Sequence, residues 1–219
     1  MSNDEIGLDE AYSVRTPDDN RRLYAKWAAT YESGWVDVRK YRYPRAIAEL
    51  FDACMPADFG QTVVDIGCGT GLAGMYLSRL RPALQIDGID ISPEMLQQSA
   101  AKRRDDGSPV YLDLFERDLT QPVESTNAPY DALISSGTFT HGHLGPEAIE
   151  NLLPLVRTEG RFLIGANAEH FAAKGFDTFL SELVARNVIT APRYERIHVY
   201  EEGSPHYGDQ SVVSLFARR

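Results

Sequence analysis

The sequence predicts an α/β fold, a mostly parallel sheet with helices on both faces that ends in an antiparallel hairpin. Three observations carry this. Short apolar runs alternate with helix-period segments through the middle of the chain, a glycine-rich turn joins the first run to a helix, and two further apolar runs close the sequence with no helix between them. At 219 residues one domain is enough to bury a full core. The organisation expected is an acidic arm over 1–15 and a single domain over 16–219. Within that domain, 16–45 forms a helical lid, 60–167 the core, and 168–219 a terminal helix and hairpin.

The elements follow in order. Thr16-Pro17-Asp18-Asp19 is an N-cap, a proline at the first helical position and acids in the first turn, so a helix starts there and runs to about Ser33, with Gly34 as its stop. Tyr24, Trp27, Tyr31 and Trp35 recur at spacings of three and four and make an aromatic face. A second helix starts at Pro44 and carries Ile47, Leu50, Phe51 and Cys54. Thr62–Ile66 reads as a buried strand, Leu72–Leu80 as a helix, and Leu84–Ile89 as the second strand. Ser92-Pro93-Glu94 caps a helix expected to reach about Arg104. A third strand is placed at Leu114–Arg117, with Val110–Leu112 open as a helical turn. Tyr130–Ser135 is the fourth strand, Pro146–Arg157 a helix, and Arg161–Ala166 the fifth strand. Phe176–Asn187 reads as helix, and Arg193–Tyr200 with Ser211–Ala217 as the hairpin.

Charge and cysteine content narrow the partners. The formal charge is −10, and six of the 32 acids, against Arg15 alone, fall in the first twenty residues. So acidic a chain is a poor match for nucleic-acid backbone, whose capture rests on Lys and Arg. No apolar run is long enough for a membrane helix, which needs about 18 residues. The opening MSNDEIGLDE lacks the order of a signal peptide, so the expected address is cytoplasmic. Cys54 and Cys68, the two cysteines, make neither a disulfide framework nor a four-cysteine zinc site, and no metal-ligand spacing is present.

The most informative stretch is Val63-Val64-Asp65-Ile66-Gly67-Cys68-Gly69-Thr70-Gly71-Leu72-Ala73-Gly74. It satisfies GxGxG at Gly67, Gly69 and Gly71, and also the dinucleotide pattern GxGxxG at Gly69, Gly71 and Gly74. Asp65 discriminates between them, because a carboxylate there repels a pyrophosphate and attracts a cation. S-adenosylmethionine, with its sulfonium and ammonium, fits that charge better than NAD. Asp65 can alternatively serve only to cap the loop. Asp90 closes the second strand where an acid can accept both ribose hydroxyls. Asp118, after the third strand, can accept from an adenine amino group, with Leu119 against the ring. Three acids at the carboxyl ends of successive strands lie where open α/β sheets bind ligands.

Together, VVDIGCGTG (63–71), GIDISPEML (88–96), ERDLTQP (116–122), YDALISSG (130–137) and the turn Thr158-Glu159-Gly160 resemble the class I S-adenosylmethionine-dependent methyltransferases. The run Tyr24-Ala25-Lys26-Trp27-Ala28-Ala29-Thr30-Tyr31-Glu32 is similar to the YDxWAxxYD start of many small-molecule members. With Thr140-His141-Gly142-His143, it most resembles the Williams–Beuren-region methyltransferase-like subgroup. The departures are Thr158-Glu159 for the usual Pro-Gly and Ala25 for the usual acid. The resemblance implies a Rossmann-like seven-stranded sheet with a reversed last hairpin. It also implies that Gly67, Gly69 and Gly71 pass under the cofactor, that Asp65 lies toward its methionyl part, and that Asp90 holds the ribose. By the same resemblance Ile91 and Met95 flank adenine, Asp118 and Leu119 meet its edge, and Ser135 lies by the methionine.

Methyl transfer from a sulfonium is an in-line displacement that demands alignment and water exclusion, so a base is required only when the acceptor is a hydroxyl or an ammonium. His141 is the candidate base, with His143 second. Trp27 and Tyr31 are the expected cofactor contacts of a lid whose π faces attract the sulfonium, although such a face can be core packing alone. The basic run Arg39-Lys40-Tyr41-Arg42 reads as an exposed turn or as a clamp for a carboxylate. Ser135-Ser136-Gly137-Thr138 stands where amide and adenine-amino methylases carry Asn-Pro-Pro-Tyr or Asp-Pro-Pro-Tyr, and neither cysteine is placed as a nucleophile. The expected function is therefore methyl transfer from S-adenosylmethionine to a small-molecule acceptor. The alternatives are an NAD(P)-dependent oxidoreductase built on Gly69, Gly71 and Gly74, or a binding module of the same fold without turnover.

Overall fold

The structure, a computed structural model, describes residues 14, 16–56, 58–123 and 129–219. The expected acidic arm therefore lies, except for Val14, outside the described residues. Seven strands form one sheet in the order β3-β2-β1-β4-β5-β7-β6. They are β1 (Thr62–Ile66), β2 (Gln85–Asp90), β3 (Leu114–Glu116), β4 (Tyr130–Phe139), β5 (Val156–Asn167), β6 (Arg193–His198) and β7 (Gln210–Ala217). The first five run parallel, and β7 pairs antiparallel with both β5 and β6. The helices are α1 (Pro17–Trp27), α2 (Asp37–Arg39), α3 (Tyr43–Cys54), α4 (Leu72–Leu80), α5 (Pro93–Ala100), α6 (Ala148–Leu152), α7 (Ala168–Ala173) and α8 (Phe176–Ala185). Among the described residues no helix is long and apolar enough to cross a membrane.

Strand periodicity explains the layers. Val63, Ala132, Ile134 and Leu163 face a core that includes Ile47, Phe51 and Leu77 of α3 and α4. Their neighbours Val64, Leu133, Phe162 and Ile164 face the opposite core with Ile149, Phe176 and Leu180. A third cluster sits on top, where Leu23, Trp27, Ala28 and Trp35 close on Met95 of α5. Registers Ile66↔Ile89, Ile66↔Ser135 and Asp90↔Glu116 bring the carboxyl ends of the central strands to one edge. The loops that follow them therefore share that edge.

Several boundaries differ from the sequence expectation. Thr16 and Asp19 do form a capping box, but α1 stops at Trp27. A turn and a π-helical segment, Tyr31–Val36, follow. Gly34 does not end the coil, since its N–H donates to Thr30 O and the chain winds on to Lys40, whose φ of 56° is the true stop. The altered winding lets Trp27 meet Tyr31 and Trp35 edge-on at 5.0 and 4.9 Å.

α5 ends at Ala100 because Arg104 organises the next loop, donating to the carbonyls of Pro82, Leu84, Pro109 and Val110. Val110–Leu112 is accordingly not helical. The helix expected to reach Arg157 shortens to α6 and one 3-10 turn, since Pro154 has no N–H to continue it. β5 begins earlier, at Val156, and carries Thr158-Glu159-Gly160 as a bulge with Glu159 at φ 64°. β4 runs on to Phe139, and α7, capped by Asn167, was not anticipated.

At the opposite edge from these carboxyl ends, Asp131 joins three strands. Its carboxylate accepts from Gln61 N, Thr62 N, Thr62 Oγ1 and Arg157 Nε at 2.7–2.9 Å. Burial pushes this carboxyl up, but the Arg157 and backbone hydrogen bonds prevail and hold it at about 2. Because its folded value lies below the unfolded one, the stability it gives is present above about pH 4 and is lost as pH falls toward 2. Asp131→Ala should cost about 3 kcal/mol in urea unfolding at pH 7. The deficit should shrink as both proteins are acidified; a deficit independent of pH would contradict this assignment.

Candidate active site

The site grows from the turn between β1 and α4. Gly67 adopts φ 63°, and a Cβ there would collide with Thr138 Oγ1, so only glycine lets β1 turn beneath the end of β4. The turn is fixed from every side. Gly67 N and Cys68 N donate to Ile89 O, Gly69 N donates to Asp90 Oδ2 at 2.9 Å, and Ser99 Oγ donates to Gly69 O at 2.7 Å. A Cβ on Gly69 would meet nothing within 4 Å, because Gly69 faces open space. That space is a cavity of about 260 Å³, much larger than the ~30 Å³ share of a water molecule.

Ten of the residues predicted from sequence line this cavity: Trp27, Tyr31, Asp65, Gly67, Gly69, Asp90, Ile91, Met95, Asp118 and Leu119. Asp65 is buried with 1% exposure; its Oδ2 accepts from Tyr111 Oη at 2.7 Å and its Oδ1 has no hydrogen-bond partner among the described residues. Burial pushes the Asp65 carboxyl up to about 7, the Tyr111 bond holding it back and Asp90 adding to the rise. Asp90 is raised too, chiefly by burial and against the N–H groups of Ser92, Gly69 and Ile91. Asp118 accepts from Thr120 N and Oγ1 in its own turn.

Three expected residues lie elsewhere. Ser135 is fully buried and donates to Ile66 O; the next residue, Ser136, lines the cavity, since consecutive strand residues point to opposite faces. Gly71 sits behind the turn as the N-cap of α4, against Tyr111 and Ser99. His141 packs its ring on His170 at 5.3 Å outside the cavity, whereas His143 lines it and meets Tyr24 Oη through Nε2 at 3.0 Å. Of the basic run, only Tyr41 reaches the cavity. Arg39 stacks on Trp35 and bonds His206, Arg42 pairs with Glu49, and Lys40 is exposed. His198 stacks on Tyr207.

The structure also adds residues the sequence did not flag. Tyr111 accepts from Gly74 N while donating to Asp65, and a Cβ on Gly74 would overlap its phenol. The third glycine of GxGxxG is therefore explained by a tyrosine, without a pyrophosphate. Gly74→Ala should cost about 1–3 kcal/mol by overpacking, measured by denaturant unfolding; unchanged stability would show that Tyr111 is free to move. Asn20, Tyr43 and Tyr200 also line the cavity. Asn20 was legible only through its i, i+4 spacing with Tyr24 on α1.

Residues 64–162 match the family model of a methyltransferase domain. That span runs from β1 into β5 and includes the glycine turn, Asp65, Asp90 and Asp118. The cyclase SpnF shares the fold with a TM-score of 0.69 and 15% identity over 94% of this chain and 97% of its own. Magnesium protoporphyrin IX methyltransferase from Synechocystis PCC 6803, solved with bound SAM, gives 0.59 and 17% over the full length of both chains. At such identities the likeness establishes the fold. Among curated proteins, tRNA1(Val) (adenine(37)-N6)-methyltransferase of Yersinia enterocolitica is 30% identical over 88 residues, 40% of this chain and 35% of that protein. The match thus spans about a third of that relative's length.

Proposed function

We propose that this chain is an S-adenosylmethionine-dependent methyltransferase acting on a small-molecule acceptor. The observation that carries the reading is the buried Asp65 Oδ1, a hydrogen-bond acceptor without a partner among the described residues, at the glycine turn of the cavity. A cationic ligand satisfies it and a pyrophosphate does not. The remaining residues fit the same group. Asp65 would hold the cationic methionyl end and Asp90 the ribose hydroxyls. Ile91 and Met95 would flank adenine, Asp118 and Leu119 would meet its edge, and the turn at Gly69 leaves room for close approach.

When bound, the cofactor supplies an electrophilic methyl on sulfonium, released with the bonding electron pair left on sulfur. The chain's part is alignment and exclusion of water. Trp27, Tyr31 and Trp35 form a wall joined to α5 through Met95, and Lys102 Nζ grips both carboxylate oxygens of Glu32 at 2.6 and 2.8 Å. His143, rather than His141, is the imidazole that faces the acceptor side.

The relatives that methylate a tRNA adenine suggest a second acceptor class. Against it stand the chain's charge of −10 and Ser135-Ser136-Gly137-Thr138 in place of an Asn-Pro-Pro-Tyr apparatus. The fold alone does not fix the chemistry, since SpnF is named a cyclase. Calorimetry tests the reading: S-adenosylmethionine and S-adenosylhomocysteine should bind saturably and NAD should not. NAD binding in the absence of either would sink it.

A further inference from the structure

Away from the glycine turn the cavity has a second polar centre. Asn20 and Tyr24 lie one turn apart on the same face of α1, and both line the cavity. Asn20 is 8% exposed; its Nδ2 donates to Gly142 O at 3.4 Å, and its Oδ1 is buried with no hydrogen-bond partner among the described residues. An acceptor left this way costs stability unless a ligand N–H or O–H completes it.

Beside it, Tyr24 Oη meets His143 Nε2 at 3.0 Å, and His143 Nδ1 meets His141 O at 2.9 Å. A carbonyl only accepts, so Nδ1 carries the hydrogen and Nε2 presents its lone pair to the Tyr24 hydroxyl. Burial also favours the neutral imidazole, the form able to take a proton. Among the described residues, His170 of α7 acts on it electrostatically, and His141 of its own loop supplies the carbonyl that Nδ1 meets. The surrounding wall includes the rings of Tyr41, Tyr43 and Tyr200, a setting for a flat aromatic ligand.

We propose that Asn20, Tyr24 and His143 form the acceptor subsite, and that the acceptor is a phenol with a second hydrogen-bond donor beside the reacting hydroxyl. This rests on the methyltransferase reading above and makes the reaction an O-methylation. The reacting O–H gives its proton to Tyr24 Oη as the Tyr24 proton passes to Nε2, leaving a tyrosine hydroxyl and an imidazolium. The acceptor oxygen gains a methyl in place of that proton, and sulfur keeps the electron pair of the broken S–CH3 bond. Asn20 Oδ1 accepts from the neighbouring donor and fixes which hydroxyl faces Tyr24. Tyr24 is thus a catalytic residue and His143 a positioning one.

The test uses the full chain loaded with S-adenosylhomocysteine, with catechol and its dimethyl ether, veratrole, as probes. Catechol should bind at least about tenfold tighter than veratrole, the scale of a hydrogen bond completed in a buried site, and Asn20→Ala or Tyr24→Phe should reduce the preference to within about twofold. Asn20→Leu, nearly isosteric, should do the same if the alanine variant does not fold. In ultraviolet titrations bound catechol should ionise at least about one pH unit below free catechol, and His143→Gln should abolish that shift. A structural role for His143 would weaken binding without moving the midpoint. Equal binding of the two probes, failure to bind catechol, or an unmoved midpoint in His143→Gln would each overturn the subsite. Failure to bind S-adenosylhomocysteine would overturn the methyltransferase reading instead.

Discussion

Asp90→Ala is expected to lower S-adenosylhomocysteine affinity by about a hundredfold, through two effects that the structure places on one carboxylate. Its Oδ2 holds Gly69 N and its Oδ1 holds Ser92 N, both at 2.9 Å, so the side chain ties the glycine turn to the start of α5. Each lost bond to a charged acceptor is worth about 1.5–3 kcal/mol, offset in part by relief of the buried charge. The variant should therefore also lose about 2 kcal/mol of stability in urea, and Asp90→Asn, which keeps one acceptor oxygen, should fall between. The ribose contact proposed for Asp90 adds to the affinity term and not to the stability term. Affinity falling while stability holds would mean that the turn stands without this carboxylate. Affinity at the wild-type level would mean that the acid plays no part in binding.

Asp65 should make binding depend on pH in a direction that its burial sets. In the free protein its carboxyl is raised to about 7, so near neutrality a large fraction is protonated. A cation beside it favours the carboxylate, and binding then releases a proton. Affinity for S-adenosylhomocysteine, whose ammonium supplies that cation, should fall by up to about tenfold per unit as pH drops below 7. Calorimetry in buffers of different ionisation enthalpy should register the proton.

Asp65→Asn should flatten the profile and weaken binding above pH 7. Stability should move the other way. A carboxyl raised on folding costs stability as pH rises from about 4 to about 7, so the asparagine variant should be the more stable at pH 8. A flat wild-type profile would show that no cation approaches Asp65, and the observation supporting the proposed function would be lost.

The sheet could be read from the sequence because its signals are local. β1 and α4 are bounded as expected, since an apolar run between turn residues and a 3.6-residue period need no tertiary information. Where α5 stops short, groups far along the chain intervene: Arg104 gathers four carbonyls, two of them those of Pro82 and Leu84, and the π-helical winding after Trp27 is set by packing on Met95 of α5. Neither leaves a local trace. The three acids of the cavity edge were legible because each lies at or just beyond the carboxyl end of a strand, and parallel strands deliver those ends to one side.

What the sequence determined by itself is therefore the α/β layering, the glycine turn and the line of Asp65, Asp90 and Asp118, all consequences of periodicity and chain order. Only the tertiary structure decided which side chain of an adjacent or near pair faces the cavity. Ser136 and not Ser135, His143 and not His141, line the cavity, because strand pleat and loop packing set the direction. The tertiary structure also assigned Gly74 to Tyr111, a contact 37 residues away along the chain, and it set the buried acceptors of Asp65 and Asn20 in one cavity. Burial is a property of the assembled layers, and it turns these two ordinary polar residues into sites that call for a donor or a cation.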